Sequence, residues 1–129
     1  EKYRNSNRTV MKREIITIEN GIVHMPQSVN VWMTQHEITD LFGCFVSKVN
    51  SNIRSILKNG ILRETDVCRT YHYPNGNSVE EYGLEMIIAL SFRVWSGKAK
   101  LFREWVIHRI TEIRLSQTII LSLQNSILN

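Results

Sequence analysis

The sequence predicts an α+β domain in which a helix-turn-helix is flanked by β-hairpins and backed by a C-terminal helical layer. Three observations carry this expectation. The alternating run EIITIENGIVHM turns on Asn20-Gly21, and Asn-Gly supplies the positive φ angles of a tight hairpin. Residues 34–57, TQHEITDLFGCFVSKVNSNIRSIL, form two short amphipathic runs hinged at Gly43. A second turn-rich stretch is then followed by two apolar runs at helical spacing. With 129 residues and 43% apolar content, the chain fits one compact domain with its own core.

In chain order, residues 1–13 read as a basic arm, with Lys2, Arg4, Arg8, Lys12 and Arg13 against Glu1 and almost no apolar periodicity. Residues 14–115 are expected to form the α+β domain. Its first hairpin is followed by a short apolar link, Val31, Trp32 and Met33. Thr34 then caps a helix, with Glu37 three residues on to complete a capping box. That helix runs to about Phe42, where Gly43 ends it. A second helix is expected from about Ser47 to Asn59-Gly60. Between Val67 and Tyr82, two β-rich runs surround Pro74-Asn75-Gly76-Asn77, a second hairpin. LEMIIALSFRV is an apolar helix. After Ser96-Gly97 comes KAKLFREWVIHRITEIRLS, with Leu101, Phe102, Trp105, Val106, Ile110 and Ile113 at helical spacing. Residues 116–129 read as a C-terminal helix, either an oligomerisation segment or the start of a further region. The chain begins at Glu1 and stops abruptly after Leu128 and Asn129, which fits a piece of a longer protein.

The paired helices point to a chemistry. A helix-turn-helix needs a first helix that braces and a second that enters the major groove. Gly43 stands where the turn needs it, Ile38, Phe42, Val46 and Val49 are placed to hold the helices together, and Thr39 is bulky for the inter-helix contact. On a helical wheel, Val46, Val49, Ile53, Ile56 and Leu57 share one side of the second helix. The other side holds Ser47, Lys48, Ser51, Arg54, Ser55 and Lys58, and residues 44–60 contain no acid. Such a face suits double-stranded DNA: hydroxyls allow close approach, Arg54 matches a guanine edge, and Lys48 and Lys58 neutralise phosphates. The same residue types also fill ordinary solvated helix faces, so both readings stand at this point. The second hairpin is a candidate wing, with Arg69, Tyr71, His72, Tyr73 and Asn75 available. Residues 61–83 carry two Arg against four acids, which directs any wing contact to its tip. The net charge of +4 suits a polyanion without demanding one.

In order and spacing, VWMTQHEITDLFG, VSKVNSNIRSILKNGIL and YGLEMIIALSFRVWSGKAKLFREW resemble the bacterial RhuM family of virulence proteins, related to phage-type BRO-N and KilA-N domains. The similarity covers roughly residues 30–110. The family's recurring positions fall here on Gln35, Gly43, Ser91 to Val94, Ala99, Phe102, Arg103 and Trp105. The resemblance implies a DNA-binding transcription regulator of the kind carried by mobile elements, and adds Gln35 to the DNA-facing candidates. The tip YPNGNSVEEY departs from the Asp-Gly-Lys-like tip expected of a relative. Some relatives are joined to effector domains.

Other features narrow the class. Arg93 and Arg103 lie in apolar helices, where an unpaired charge is costly; either each pairs with an internal acid, for which Glu85, Glu104 and Glu112 are the candidates, or both line a functional surface, and structural pairing is the expectation. Trp105 and Phe102 read as core. His24, His36, His72 and His108 show no metal or nucleophile spacing, so no catalytic residues, metal site or cofactor are expected. Cys44 and Cys68 read as reduced, buried thiols of a cytoplasmic protein, and no membrane span or signal peptide is expected. Ile113, Ile120 and Ile127 recur every seven residues, with Leu123 between the last two, a seam fit for a homodimer. The competing reading is therefore a self-associating interaction module without a nucleic-acid partner.

Overall fold

The computed structural model describes residues 13–27 and 30–128, with side chains as far as Ser126. Residues 1–12 of the expected basic arm and the Ile127 seam position fall outside the described side chains. The chain is an α+β protein. Strands β1 (Thr17–Glu19) and β2 (Ile22–His24) form an antiparallel hairpin in which Glu19 pairs with Ile22. Asn20 and Gly21 take φ of 54° and 75°, the left-handed pair that the dipeptide was expected to supply.

The apolar link expected at Val31 to Met33 is instead part of a strand, β3 (Trp32–Thr34). It pairs with β5 (Ser78–Gly83), which pairs in turn with β4 (Cys68–His72), giving an antiparallel sheet of order β3-β5-β4. Three residues carry too little alternation to announce a strand. The partner that makes β3 a strand lies some fifty residues on, with Trp32 opposite Gly83.

Helix α1 (Gln35–Phe42) begins as expected. Thr34 Oγ1 accepts from the Glu37 N–H at 3.2 Å, and Glu37 Oε1 accepts from the Thr34 N–H at 2.9 Å. Gly43 ends it at φ 58°, ψ 46°. Helix α2 (Val46–Lys58) follows, closed by Asn59 and Gly60, the latter at φ 70°. One further turn, α3 (Glu64–Val67), precedes β4.

The apolar run after β5 is helical only over α4 (Leu84–Ser91), so "SFRV" mostly lies in the connection. Helix α5 (Gly97–Leu128) then runs unbroken for 32 residues across the expected boundary at 115/116. A single core joins these elements: Met33, Ile38, Phe42, Val49, Ile53 and Ile56 meet Met86, Ile87, Leu90, Ala99, Phe102 and Val106. Phe42 and Phe102 pack ring to ring at 5.8 Å, and Phe102 stacks on Trp105 at 6.1 Å, as expected of core residues.

The expected acid partners of the helical arginines are corrected. Arg93 Nη1 donates to Ser55 Oγ at 3.2 Å. Arg103 Nη1 donates to the carbonyl oxygens of Ser91 and Val94, with its guanidinium over the Trp95 ring. It satisfies the acceptors left open where α4 ends. Glu104 and Glu112 instead face Lys100 and His108 along α5.

Candidate nucleic-acid interface

The pairing of α1 with α2 is set by burial. Ile38, Leu41 and Phe42 of α1 and Val49, Ile53 and Ile56 of α2 point into the core. Gln35 Nε2 donates to the Val46 carbonyl at 3.3 Å, bracing the first turn of α1 against the start of α2. The Thr39 hydroxyl is satisfied within α1, donating to the Gln35 carbonyl at 2.8 Å. Val46 was expected between the helices but is 42% exposed. It is the first residue of α2, where no preceding turn of the helix covers it.

With one side buried, the opposite side of α2 faces out. Ser47, Lys48, Ser51, Arg54 and Lys58 are all exposed. Lys48, Arg54 and Lys58 form no ion pair among the described residues. Ser51 Oγ donates to the Lys48 carbonyl at 3.2 Å, and Asn52 Nδ2 to the same carbonyl at 2.9 Å, so these short side chains lie close along the helix. Ser55 sits at the edge of this face, half-buried, accepting from Arg93 and from Asn59 Nδ2 at 3.2 Å. Its hydroxyl is occupied by structure, and Arg93 brings a further cation to that edge.

Phe45, which the sequence reading passed over, is the N-cap of α2, makes no side-chain cap bond and is 83% exposed. Its position two residues after a turn glycine, in a Gly-x-Phe-Val run, was the available signal. An apolar ring at the entry of this helix is suited to contact with a thymine methyl.

The hairpin residues divide into two groups. Arg69 is exposed but engaged: its guanidinium stacks on Trp32 at 4.5 Å, and its Nε donates to Glu81 Oε1 at 2.9 Å. Glu81 is fully buried. Its other oxygen lies 2.9 Å from Arg13 Nη1 without accepting a hydrogen bond. Arg13, last of the basic arm, also grips Glu37 through Nε at 2.9 Å and Nη2 at 2.7 Å. Burial acts to lower its pKa, but hydrogen bonding and charge from Glu37, with the charge of Glu81 added, raise it overall.

Tyr71, His72 and Asn75 are exposed toward the tip, where Tyr71 meets Tyr73 edge to face at 5.0 Å. Asn75 Oδ1 accepts from the Asn77 N–H at 2.9 Å and shapes the turn. Between this hairpin and the helix pair lies a cleft of about 570 Å³, lined by Gln35, His36, Val46, Tyr73, Ser78 and Tyr82 among others. Glu80 also lines it, so its hairpin wall carries a negative charge that repels phosphate. The cationic surface is that of α2.

Among the described residues, no three His, Cys, Asp or Glu side chains converge as a metal site, and no helix is long and apolar enough to cross a membrane. Cys44 and Cys68 are free thiols, half-buried rather than fully buried. Compared with family models, with curated proteins and with solved structures, the chain gives no match in any of the three.

Proposed function

We propose that this chain is a cytoplasmic, non-enzymatic transcription regulator of the RhuM type that binds double-stranded DNA through the outward face of α2 and works as a homodimer. The observation that carries the reading is the two-sidedness of α2. Val49, Ile53 and Ile56 anchor it, while Lys48, Arg54 and Lys58 stand exposed on a segment without acids. The Gln35–Val46 bond and the Gly43 turn hold that face in a fixed attitude to α1, as a brace-and-reader pair requires. The family assignment rests on the blocks around Gln35, Gly43, Ser91 to Val94 and Phe102 to Trp105. Contact by the hairpin is assigned to its tip, through Tyr71, His72 and Asn75, because Arg69 is held by Glu81.

Single substitutions separate the roles. Lys48→Ala and Lys58→Ala weaken binding to all sequences alike and each lower the salt slope by about one. Arg54→Ala costs about 1–3 kcal/mol at the preferred site and relaxes base preference. Unchanged DNA affinity in all three variants would rule out α2 as the reading helix. The competing reading, an interaction module without DNA, has its own support in the exposed apolar residues of the outer half of α5. Self-association is common to both readings.

A further inference from the structure

One face of α5 is apolar along nearly its whole length, at alternating spacings of three and four. Ala99, Phe102 and Val106 stand on it and are buried by the domain's own core, Val106 at 6% exposure. The same spacing continues through Arg109, Ile113, Ser116, Ile120 and Leu123, the 3.5-residue repeat of a helix meant to lie against another. There the cover ends. Every described side chain from Ile107 to Ser126 is exposed, with Ile113, Ile120 and Leu123 at 58%, 54% and 59%. Arg109, the one charge on the stripe, is drawn aside over the Trp105 ring at 5.5 Å and to 3.7 Å from Glu112.

This outer segment is rich in Ile, Ser and Thr, which are not strong helix formers. Such a helix derives its stability chiefly from packing, and among the described residues it has none. It spans roughly 33 Å at 1.5 Å per residue.

We infer that a second copy of this chain covers the stripe, with the two long helices antiparallel. The orientation follows from where the domain sits. A parallel partner in register on this face would have to run its own Gly97–Val106 segment through the space filled by α1, α4 and β2, all packed against α5. An antiparallel partner ends where the domain begins. Centred on Thr118, the pairing sets Ile113 opposite the copy's Leu123 and Ser116 opposite the copy's Ile120, so a small residue meets a large one. Self-pairing is also indicated by charge: residues 115–129 carry none, and at the flanks Glu112 approaches the copy's Ser126, so no like charges meet. A two-fold axis asks for such a self-complementary patch. The inference gives the proposed homodimer its geometry. Its test involves no DNA, so either can fail without the other.

The experiment uses the full chain with Cys44→Ser and Cys68→Ser, carrying either Ile113→Cys or Leu123→Cys, both at exposed positions. Sedimentation equilibrium of the parent chain is expected to give twice the 15.1 kDa chain mass, and Ile120→Asp is expected to return it to one chain mass. On oxidation, an equilibrated mixture of the two cysteine variants is expected to form a disulfide-linked pair, while neither variant does so alone. A monomeric parent chain, an assembly larger than a dimer, or efficient self-linkage of Leu123→Cys would overturn the inference, the last by showing parallel helices.

Discussion

Ser96 Oγ donates to the carbonyl oxygen of Phe42 at 2.6 Å, and the hydroxyl oxygen of Ser96 in turn accepts from the Ala99 N–H at 3.0 Å. One hydroxyl thus closes the end of α1 and caps the start of α5. It fastens the turn at Gly43, and with it the attitude of α2, to the longest helix of the fold.

Ser96→Ala removes both bonds at once. The loss of a helix N-cap alone costs about 0.5–2 kcal/mol, and the upper half of that range is expected here, read as a lower urea midpoint at unchanged slope. A midpoint unchanged from the parent chain would show that water replaces the hydroxyl without loss.

Glu81 anchors a second junction, between the sheet, Arg69 and the residue that ends the basic arm, Arg13. Glu81→Gln keeps the shape and removes the charge, at an expected cost of about 1.5–3 kcal/mol. Because Arg13 shares the site, the double variant with Arg13→Ala is expected to lose less than the two single losses together. Strict additivity in denaturant unfolding would show that the two side chains do not act as a pair.

Arg103→Ala leaves the carbonyls of Ser91 and Val94 without their donor, and a loss of about 1.5–3 kcal/mol is expected. Both bonds leave the one nitrogen Nη1, but an ammonium has no planar face to lie over Trp95 as the guanidinium does, so Arg103→Lys is expected to recover only part of the loss. Full recovery by lysine would mean that charge alone matters.

The Cys68 thiol is pushed up to about 11 by burial, with the charges of Glu64 and Glu80 adding to it. The folded chain therefore holds this proton after the unfolded chain has released it at about 8.5. Stability from this group is present below that value and declines as pH rises toward 11. Alkylation of Cys68 by iodoacetamide, followed by peptide mass spectrometry, is expected to have a pH midpoint near 11. A midpoint near the ordinary thiol value would contradict the burial.

What the sequence made legible was chiefly local. Asn20-Gly21, the Thr34–Glu37 capping box, Gly43, Gly60 and the Pro74–Asn77 turn each act through their own backbone or a neighbour within a few residues, and each lies where it was expected. The outward face of α2 was equally legible, because one helical period sorts Val49, Ile53 and Ile56 from Lys48, Arg54 and Lys58. The misses involve partners distant in the chain or backbone acceptors. Strand β3 exists only through β5. Ser55 is engaged by an arginine 38 residues away. The acceptors of Arg103 are carbonyl groups, which no pattern of charged side chains can announce. Val46 was assigned inward by its angle on the wheel, but a first-turn residue has less helix around it to bury it.

The central claim, that this chain binds duplex DNA as a polyanion through α2, is tested most directly by fluorescence anisotropy. Labelled random-sequence duplex is titrated with the chain across a series of salt concentrations. The account expects binding at low salt and a log affinity that falls linearly with log salt, steeply enough to report several phosphate contacts at about 0.9 per contact. The absence of binding even at the lowest salt, or an affinity indifferent to salt, would contradict it.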